Sequence, residues 1–218
     1  MKNFDFYEFT SILVPGAATI YIVSMLFPDI ASFTNLEAVS VGGFGVIIIL
    51  AYATGHLVAA LGNVFESAYW WAFGGRPTDW VRDPRKTFLA EDQSAVLARR
   101  VAELFGLSKP KALSDWTDGS WFGLLVQIRA EVDAGNKSGR VNTFNGNYGM
   151  FRGLAAGLLA CIALAPFSKT ITVSGYVILI ICAVLALLRM HRFGKHYACE
   201  LFAQFIGRSV TTSSTEAR

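Results

Sequence analysis

His56, Asn63 and Glu66 interrupt a stretch of chain that is otherwise apolar, and their spacing is helical. Asn63 follows His56 by seven residues, close to two turns, so the two fall on one helical face, and Glu66 comes three residues later. An imidazole titrates near neutral pH, and a polar helix face can line a water-filled path with the imidazole as its constriction or gate. The same side chains can instead hydrogen-bond a neighbouring helix and do no more than fix its packing. Gly55, Ala59 and Gly62 lie near that face and permit close helix contact. Further upstream, Pro15-Gly16 removes a backbone donor and frees the carbonyl of Ser11, which predicts a kink that either gates a path or shapes the bundle.

A second group of residues capable of chemistry is Arg189, His191, Arg192, Lys195 and His196. Arg189 and His196 are seven apart and share a helical face, and their spacing falls within the loose Arg-x(4-6)-His pattern of HEPN ribonucleases. There the His acts as acid or base and the Arg stabilises phosphate charge. Two common residue types in a basic segment match such a spacing easily by chance. The simpler reading is a juxtamembrane patch in which Arg189, Arg192 and Lys195 hold anionic lipid headgroups, at about 1 kcal/mol per residue.

Other chemistry is poorly represented. Gly74-Gly75-Arg76-Pro77 is a turn without the Lys-Ser/Thr of a phosphate cradle, and the Gly135 to Arg140 stretch lacks the required spacing. There is no Ser/His/Asp order, no Cys/His ligand set and no His-Glu-x-x-His, so neither a metal nor a cofactor is expected. Cys161, Cys182 and Cys199 have no paired spacing and suggest neither disulfides nor zinc.

The elements that must position these residues are four apolar runs, at about 9–27, 39–63, 150–167 and 172–188. Each approaches the ~20 residues a helix needs to cross ~30 Å of hydrocarbon. Charged residues are 16% of the chain and apolar residues 53%, with a mean hydropathy of +0.44, whereas charged residues approach a quarter of a soluble domain. The expected fold is all-α, with four transmembrane helices. No internal repeat is found, and 218 residues is short for a carrier built from inverted halves.

Of the 19 Lys and Arg residues, all but Lys169 fall on one side of these runs. The connector from Pro28 to Ala38 carries Asp29 and Glu37 and no base, whereas the segment from Arg76 to Arg140 carries eleven. The positive-inside rule then puts the long segment and both termini in the cytoplasm, with Arg76, Arg152 and the Arg189 to Lys195 cluster nearest the spans. The first run follows Asp5 and Glu8 rather than a basic region and is too long for a signal peptide. Phe4, Phe6, Tyr7 and Phe9, and separately Tyr69, Trp70 and Trp71, are expected as aromatic belts at the inner interface.

Two amphipathic helices are expected between the second and third spans. Leu97, Val101, Leu104 and Phe105 mark one, with Asp92 near its start and Gly106 closing it. Trp121, Leu124, Leu125, Ile128 and Val132 mark the other, with Asp118 or Ser120 as N-cap and Gly135 at its end. Two such helices are too small for a core of their own. A ridge of Phe193, Tyr197, Leu201 and Phe205, four apart, predicts that the fourth span continues into a tail helix ending near Gly207, followed by a polar disordered end from Ser209 to Arg218. The implied division is a first transmembrane hairpin at 1–72, a cytoplasmic helical loop at 73–148, a second hairpin at 149–190 and a tail at 191–218.

Two blocks carry a family likeness. They are Phe4-Asp5-Phe6-Tyr7-Glu8-Phe9 leading to Pro15-Gly16, and Gly55-His56-Leu57 through Gly62-Asn63, Glu66, Trp71 and Gly74-Gly75-x-Pro77. They resemble small bacterial inner-membrane proteins, some of which accompany antiviral defence modules such as Kiwa or type VI-B CRISPR systems. The likeness covers about the first third of the chain. It implies a sensor or effector that answers infection by altering membrane integrity, with a cytoplasmic protein or RNA-guided partner.

Together these readings give an inner-membrane homo-oligomer in contact with lipid, working as a gated channel or membrane-perturbing effector around His56, Asn63, Glu66, Pro15 and Gly16. Four helices alone enclose too little space for an aqueous path, so several copies would be needed. The alternative is an anchor that recruits a soluble cytoplasmic partner through Trp116, Trp121 and the Phe193 to Phe205 ridge. A third reading is a ribonuclease at the cytoplasmic face using His196 with Arg189 or Arg192. The net charge of +3 makes no case for direct nucleic-acid binding, because topology explains the basic excess.

Overall fold

A backbone without water to bond must satisfy its own N–H and C=O groups, and in a single apolar run only a helix does so. Every regular element in the computed structural model, which describes residues 9–30, 41–135 and 138–207, is accordingly helical. The readings made on Phe4 to Glu8, on Glu37, on Lys137 and on Ser209 to Arg218 lie outside the described residues. A π-helical turn, Phe9–Leu13, leads into α1, Val14–Leu26. Then come α2, Val41–Ala72, the short α3, Pro77–Trp80, and α4, Glu91–Leu104. After a 3-10 turn at Leu113–Asp115 follow α5, Asp118–Ala134, and α6, Gly139–Leu164, which ends in a 3-10 turn at Ala165–Phe167. The last helix, α7, is Val173–Gly207.

Among the described residues, four stretches are long and apolar enough to cross a membrane: Phe9–Leu26, Gly43–Trp80, Gly139–Phe167 and Val173–Gly207. Two helices overrun the apolar runs, α2 reaching Ala72 rather than 63 and α6 beginning at Gly139 rather than 150. Hydropathy drops at Asn63 and across Asn142 to Asn147, but the i→i−4 ladder is indifferent to side-chain polarity and meets no proline there. α4 ends in a Schellman motif: Gly106 has φ +61°, and the N–H of Leu107 donates to Ala102 O at 2.8 Å. The N-cap of α5 is Thr117, whose side chain accepts from the Ser120 N–H, rather than Asp118 or Ser120. Gly135 follows α5 with φ −76°, so no left-handed turn is needed there.

The chain divides into two compact units, one formed by Met1–Trp70 with Asn145–Phe193 and the other by Trp71–Phe144 with Gly194–Arg218. In unit 1, α2 turns Ala51, Gly55, Val58, Gly62, Glu66 and Trp70 inward, a seam at helical spacing. Its neighbours approach to backbone contact: a Cβ on Gly16 would collide with the Ala51 carbonyl, and one on Gly55 with the Ile12 carbonyl. Gly153 and Gly157 on α6 likewise accommodate Pro15 and Thr19 of α1, a small-xxx-small contact. Pro15 sits in the first turn of α1, where no donor is required, and the predicted distortion takes the form of the π turn just before it. Ser11 donates to Gly146 O at 3.0 Å. At the other end of α1, Ser168 and Thr170 donate to Leu26 O at 2.6 and 3.1 Å, satisfying a carbonyl that the helix leaves open.

Unit 2 is built from large side chains. Leu97 and Val101 of α4, Trp121, Leu124, Ile128 and Val132 of α5, and Leu201, Phe202 and Phe205 of α7 form one buried cluster. Trp121 and Phe202 stack with ring centroids 6.2 Å apart. Arginines close its edges. Arg100 donates to the Phe205 carbonyl in the last turn of α7 and lies over the Phe205 ring. Arg129 reaches Asp133 at 3.1 Å and Tyr197 at 3.3 Å. Burial opposes the Arg129 charge, but Tyr197 and Asp133 outweigh it and hold the guanidinium above its ordinary value.

Candidate functional site

A polar cluster in the apolar helices of unit 1 forms where the α2 seam meets α6. Glu66 and Arg152 pair at 2.6 Å, with side chains only 8% and 17% exposed. Gly62, one turn before Glu66, leaves room for the arginine stem: a Cβ there would lie 3.3 Å from Arg152 Cγ. The Trp70 indole donates to the Tyr148 hydroxyl at 2.8 Å, and Tyr148 in turn hydrogen-bonds Glu66. Beside this group, the Tyr69 hydroxyl is 3.1 Å from His191 Nδ1, and the Trp70 and His191 rings lie 5.1 Å apart. Helices α2, α6 and α7 are thereby joined through one network. Its acid and base neutralise each other, so the carboxylate is held by Arg152 and Tyr148 and is not offered to a path. Such a pair is costly to break, because either charge left alone in a buried setting has lost its compensation.

The predicted polar stripe therefore splits. His56 and Asn63 are exposed, and Glu66 is buried. At 100° per residue, His56 and Asn63 stand roughly 80–100° around α2 from the Gly55 line of the seam, while Glu66 returns to within about 20° of it. The His56 ring meets the edge of Tyr52 at 4.6 Å, and the Asn63 backbone carbonyl accepts from Ser67 at 3.0 Å. Neither the His56 nor the Asn63 side chain hydrogen-bonds another described residue. Pro15 and Gly16 are buried between helices, so they pack the bundle and line no path through unit 1.

Several other expectations change with burial. Trp70, read as part of an interfacial belt, is 2% exposed and hydrogen-bonded inside unit 1, and only Trp71 of that trio is highly exposed. Arg152, read as a marker of the inner edge, is the partner of Glu66. Trp121, Leu201 and Phe205, offered as a recruitment surface, are consumed by the core of unit 2, and Phe193 stacks on Phe151 in unit 1 at 5.5 Å. Arg189 and Arg192 are exposed in unit 1. In unit 2, Lys195 lies 5.4 Å from the Trp80 ring, and His196 stacks on Phe144 at 5.5 Å. Among the described residues no group of three or more His, Cys, Asp or Glu side chains is placed to hold a metal.

Sequence reasoning missed Arg152, Tyr148 and His191 as members of one site. The available signal was a Glu and an Arg both inside long apolar helices, where opposite charges seek each other. Fold and site together define a class: a helical protein with four helices of membrane-crossing length and apolarity, locked by a buried ion pair. Comparison with protein-family models, with curated proteins and with solved structures finds no match for the chain.

Proposed function

We propose that the protein is a multi-pass component of a bacterial inner membrane, with both termini and a helical module made of the loop and tail in the cytoplasm. It assembles as a homo-oligomer and works as a gated channel or membrane-perturbing effector. The observation that carries this reading is the position of His56 and Asn63. They stand on an exposed side of a helix apolar enough to cross a membrane, with side chains that have no hydrogen-bonding partner among the described residues. Polar groups left facing hydrocarbon are costly, and identical copies arranged around a water-filled axis would relieve that cost. Glu66, Pro15 and Gly16 then keep each subunit rigid rather than line the path. The setting in antiviral defence rests on the sequence likeness alone, and the orientation rests on the distribution of Lys and Arg.

Ion flux through proteoliposomes tests the channel. His56→Leu and Asn63→Leu, both at exposed positions, should change conductance by about tenfold or more while leaving the native mass of the complex unaltered. Unchanged flux with normal assembly would overturn it, as would a monomer or dimer by native mass measurement with lipids retained.

A second reading, an anchor that recruits a soluble partner, has in its favour that unit 2 possesses its own core. Its contact surface would have to lie elsewhere than Trp121 and Phe205, which are buried. The ribonuclease reading gains no support: His196 is engaged in stacking on Phe144.

A further inference from the structure

Unit 2 opens a cleft of about 910 Å³ between the turn after α2 and the start of α5. Its chemistry is mixed in a specific way. Trp121, 1% exposed, and Arg82 both line it, and the Trp121 indole N–H and Arg82 Nε–H are buried with no hydrogen bond to any described residue. The other Arg82 nitrogens are engaged, donating to Trp116 O at 2.8 Å and Asp118 at 2.7 Å. Two buried donors on residues that line a cavity call for an oxygen acceptor. The walls are apolar and strongly solvent-facing: Trp71 is 84% exposed and Phe122 63%. Around the rim stand Arg76 and the carboxylates of Asp79, Asp83 and Asp118.

The place of this cleft along the chain identifies what it meets. Trp71 is the next-to-last residue of α2 and lies 28 residues after Gly43, where the membrane-crossing stretch begins. At 1.5 Å per residue that is roughly 42 Å, the ~40–45 Å of a bilayer with its headgroups. An exposed indole at that distance belongs at headgroup level, where one end of its surroundings is apolar and the other wet. A purely anionic head would meet three carboxylates, of which Arg82 answers Asp118 at 2.7 Å and Asp79 only at 4.0 Å. A head carrying both a phosphate and an ammonium matches the two signs of the rim.

We propose that this cleft is a phospholipid site selective for a zwitterionic head with a primary ammonium. Phosphate or ester oxygens accept from Trp121 and Arg82, the ammonium lies against Asp79 and Asp83, and the acyl chains leave across Trp71 and Phe122. The inference rests on the membrane reading above and is independent of whether the oligomer conducts.

The test uses the full chain in lipid nanodiscs doped with a photoreactive ethanolamine phospholipid, with adducts mapped by peptide. Adducts are expected on residues 118–126 as well as on α2. Trp71→Ala and Phe122→Ser, at exposed positions and with helicity checked by circular dichroism, should each cut the 118–126 adduct about fivefold while α2 labelling stays constant. Unlabelled ethanolamine phospholipid should compete better than an anionic glycerol phospholipid. A labelled α2 with no adduct on 118–126, or one indifferent to both variants, would overturn the site. Equal competition by the glycerol lipid would overturn the headgroup assignment, and crosslinks from Phe122 to a second copy or to a soluble protein would show a different occupant. Absence of label from α2 would instead sink the membrane reading itself.

Discussion

Unit 1 and unit 2 are both helical, yet they are held by opposite means. In unit 1 the contacts between helices are made by what is missing: Gly16 against the Ala51 carbonyl, Gly55 against Ile12, Gly153 and Gly157 against Pro15 and Thr19. Specificity there is added by a buried ion pair, Glu66 with Arg152. In unit 2 the contacts are made by bulk, with Trp121, Leu124, Ile128, Phe202 and Phe205 filling a common core. The contrast follows from the solvent each unit is proposed to occupy. Lipid tails are as apolar as Leu, so helices in a membrane gain nothing from hiding large side chains and associate through close packing and polar pairs. In water, burying large apolar area is the main driving force.

The largest expected effect is on the ion pair. Glu66→Leu leaves the Arg152 charge without its partner and should lower the stability of unit 1 by about 3–5 kcal/mol, while Glu66→Leu with Arg152→Met should recover most of that loss. Reversible unfolding in mixed micelles, read through unit 1, measures both. A single-variant cost below about 1 kcal/mol would mean that Arg152 finds water by extending its stem, and the comparison between the units would then lose its polar half.

Next come two substitutions of opposite sign in volume. In unit 2, Leu124→Ala removes packed carbon and should cost about 2–5 kcal/mol. In unit 1, Gly55→Ala adds a single methyl where the Ile12 carbonyl already stands and should cost about 1–3 kcal/mol. Hydrogen exchange followed by segment separates them, since each loss should appear mainly in its own unit. Stabilisation by Gly55→Ala, as expected of a glycine in an open helix, would break the contrast.

How much of this could be read from the sequence depended on whether a helix had one apolar face or two. α5 and the tail of α7 each have one, so Trp121, Leu124, Ile128 and Val132, and Tyr197, Leu201 and Phe205, announce their inward side by period alone. α2 is apolar nearly all round, and periodicity does not say which side faces the bundle. Spacing alone therefore groups His56 and Asn63 with Glu66, although the helix turns them outward and Glu66 inward. Arg152 was hidden for a related reason: a base near the end of an apolar run fits the positive-inside pattern, and only its partner on another helix reveals it as buried. What covers the ridge on α7 is likewise a tertiary fact. Period requires a partner for Leu201 and Phe205, but only the fold supplies α4 and α5 as that partner.

The smallest effect concerns the cap of α5, for which the sequence pattern suggests Asp118 or Ser120 and the structure uses Thr117, also a capping residue type. The Thr117 side chain accepts from the Ser120 N–H, its hydroxyl lies 2.8 Å from that of Ser120, and the Ser120 hydroxyl donates back to the Thr117 carbonyl at 3.0 Å. The two side chains form a closed local pair, and Thr117 serves the orphan donor. Thr117→Ala should therefore cost about 1 kcal/mol, and Ser120→Ala less. Asp118→Ala removes a favourable charge from the first turn, worth about 0.3–1 kcal/mol, together with the exposed ion pair to Arg82. Exchange of the amides at 119–121 discriminates between these. Faster exchange at Ser120 in Thr117→Ala alone would fix the cap, whereas equal acceleration in Asp118→Ala would transfer that role to the charge. The outcome also bears on the comparison, because the start of α7 in unit 1 uses the same device, the Thr172 hydroxyl accepting from the Gly175 N–H at 3.2 Å, so hydroxyl caps are shared by the two units and the contrast between them lies in their packing.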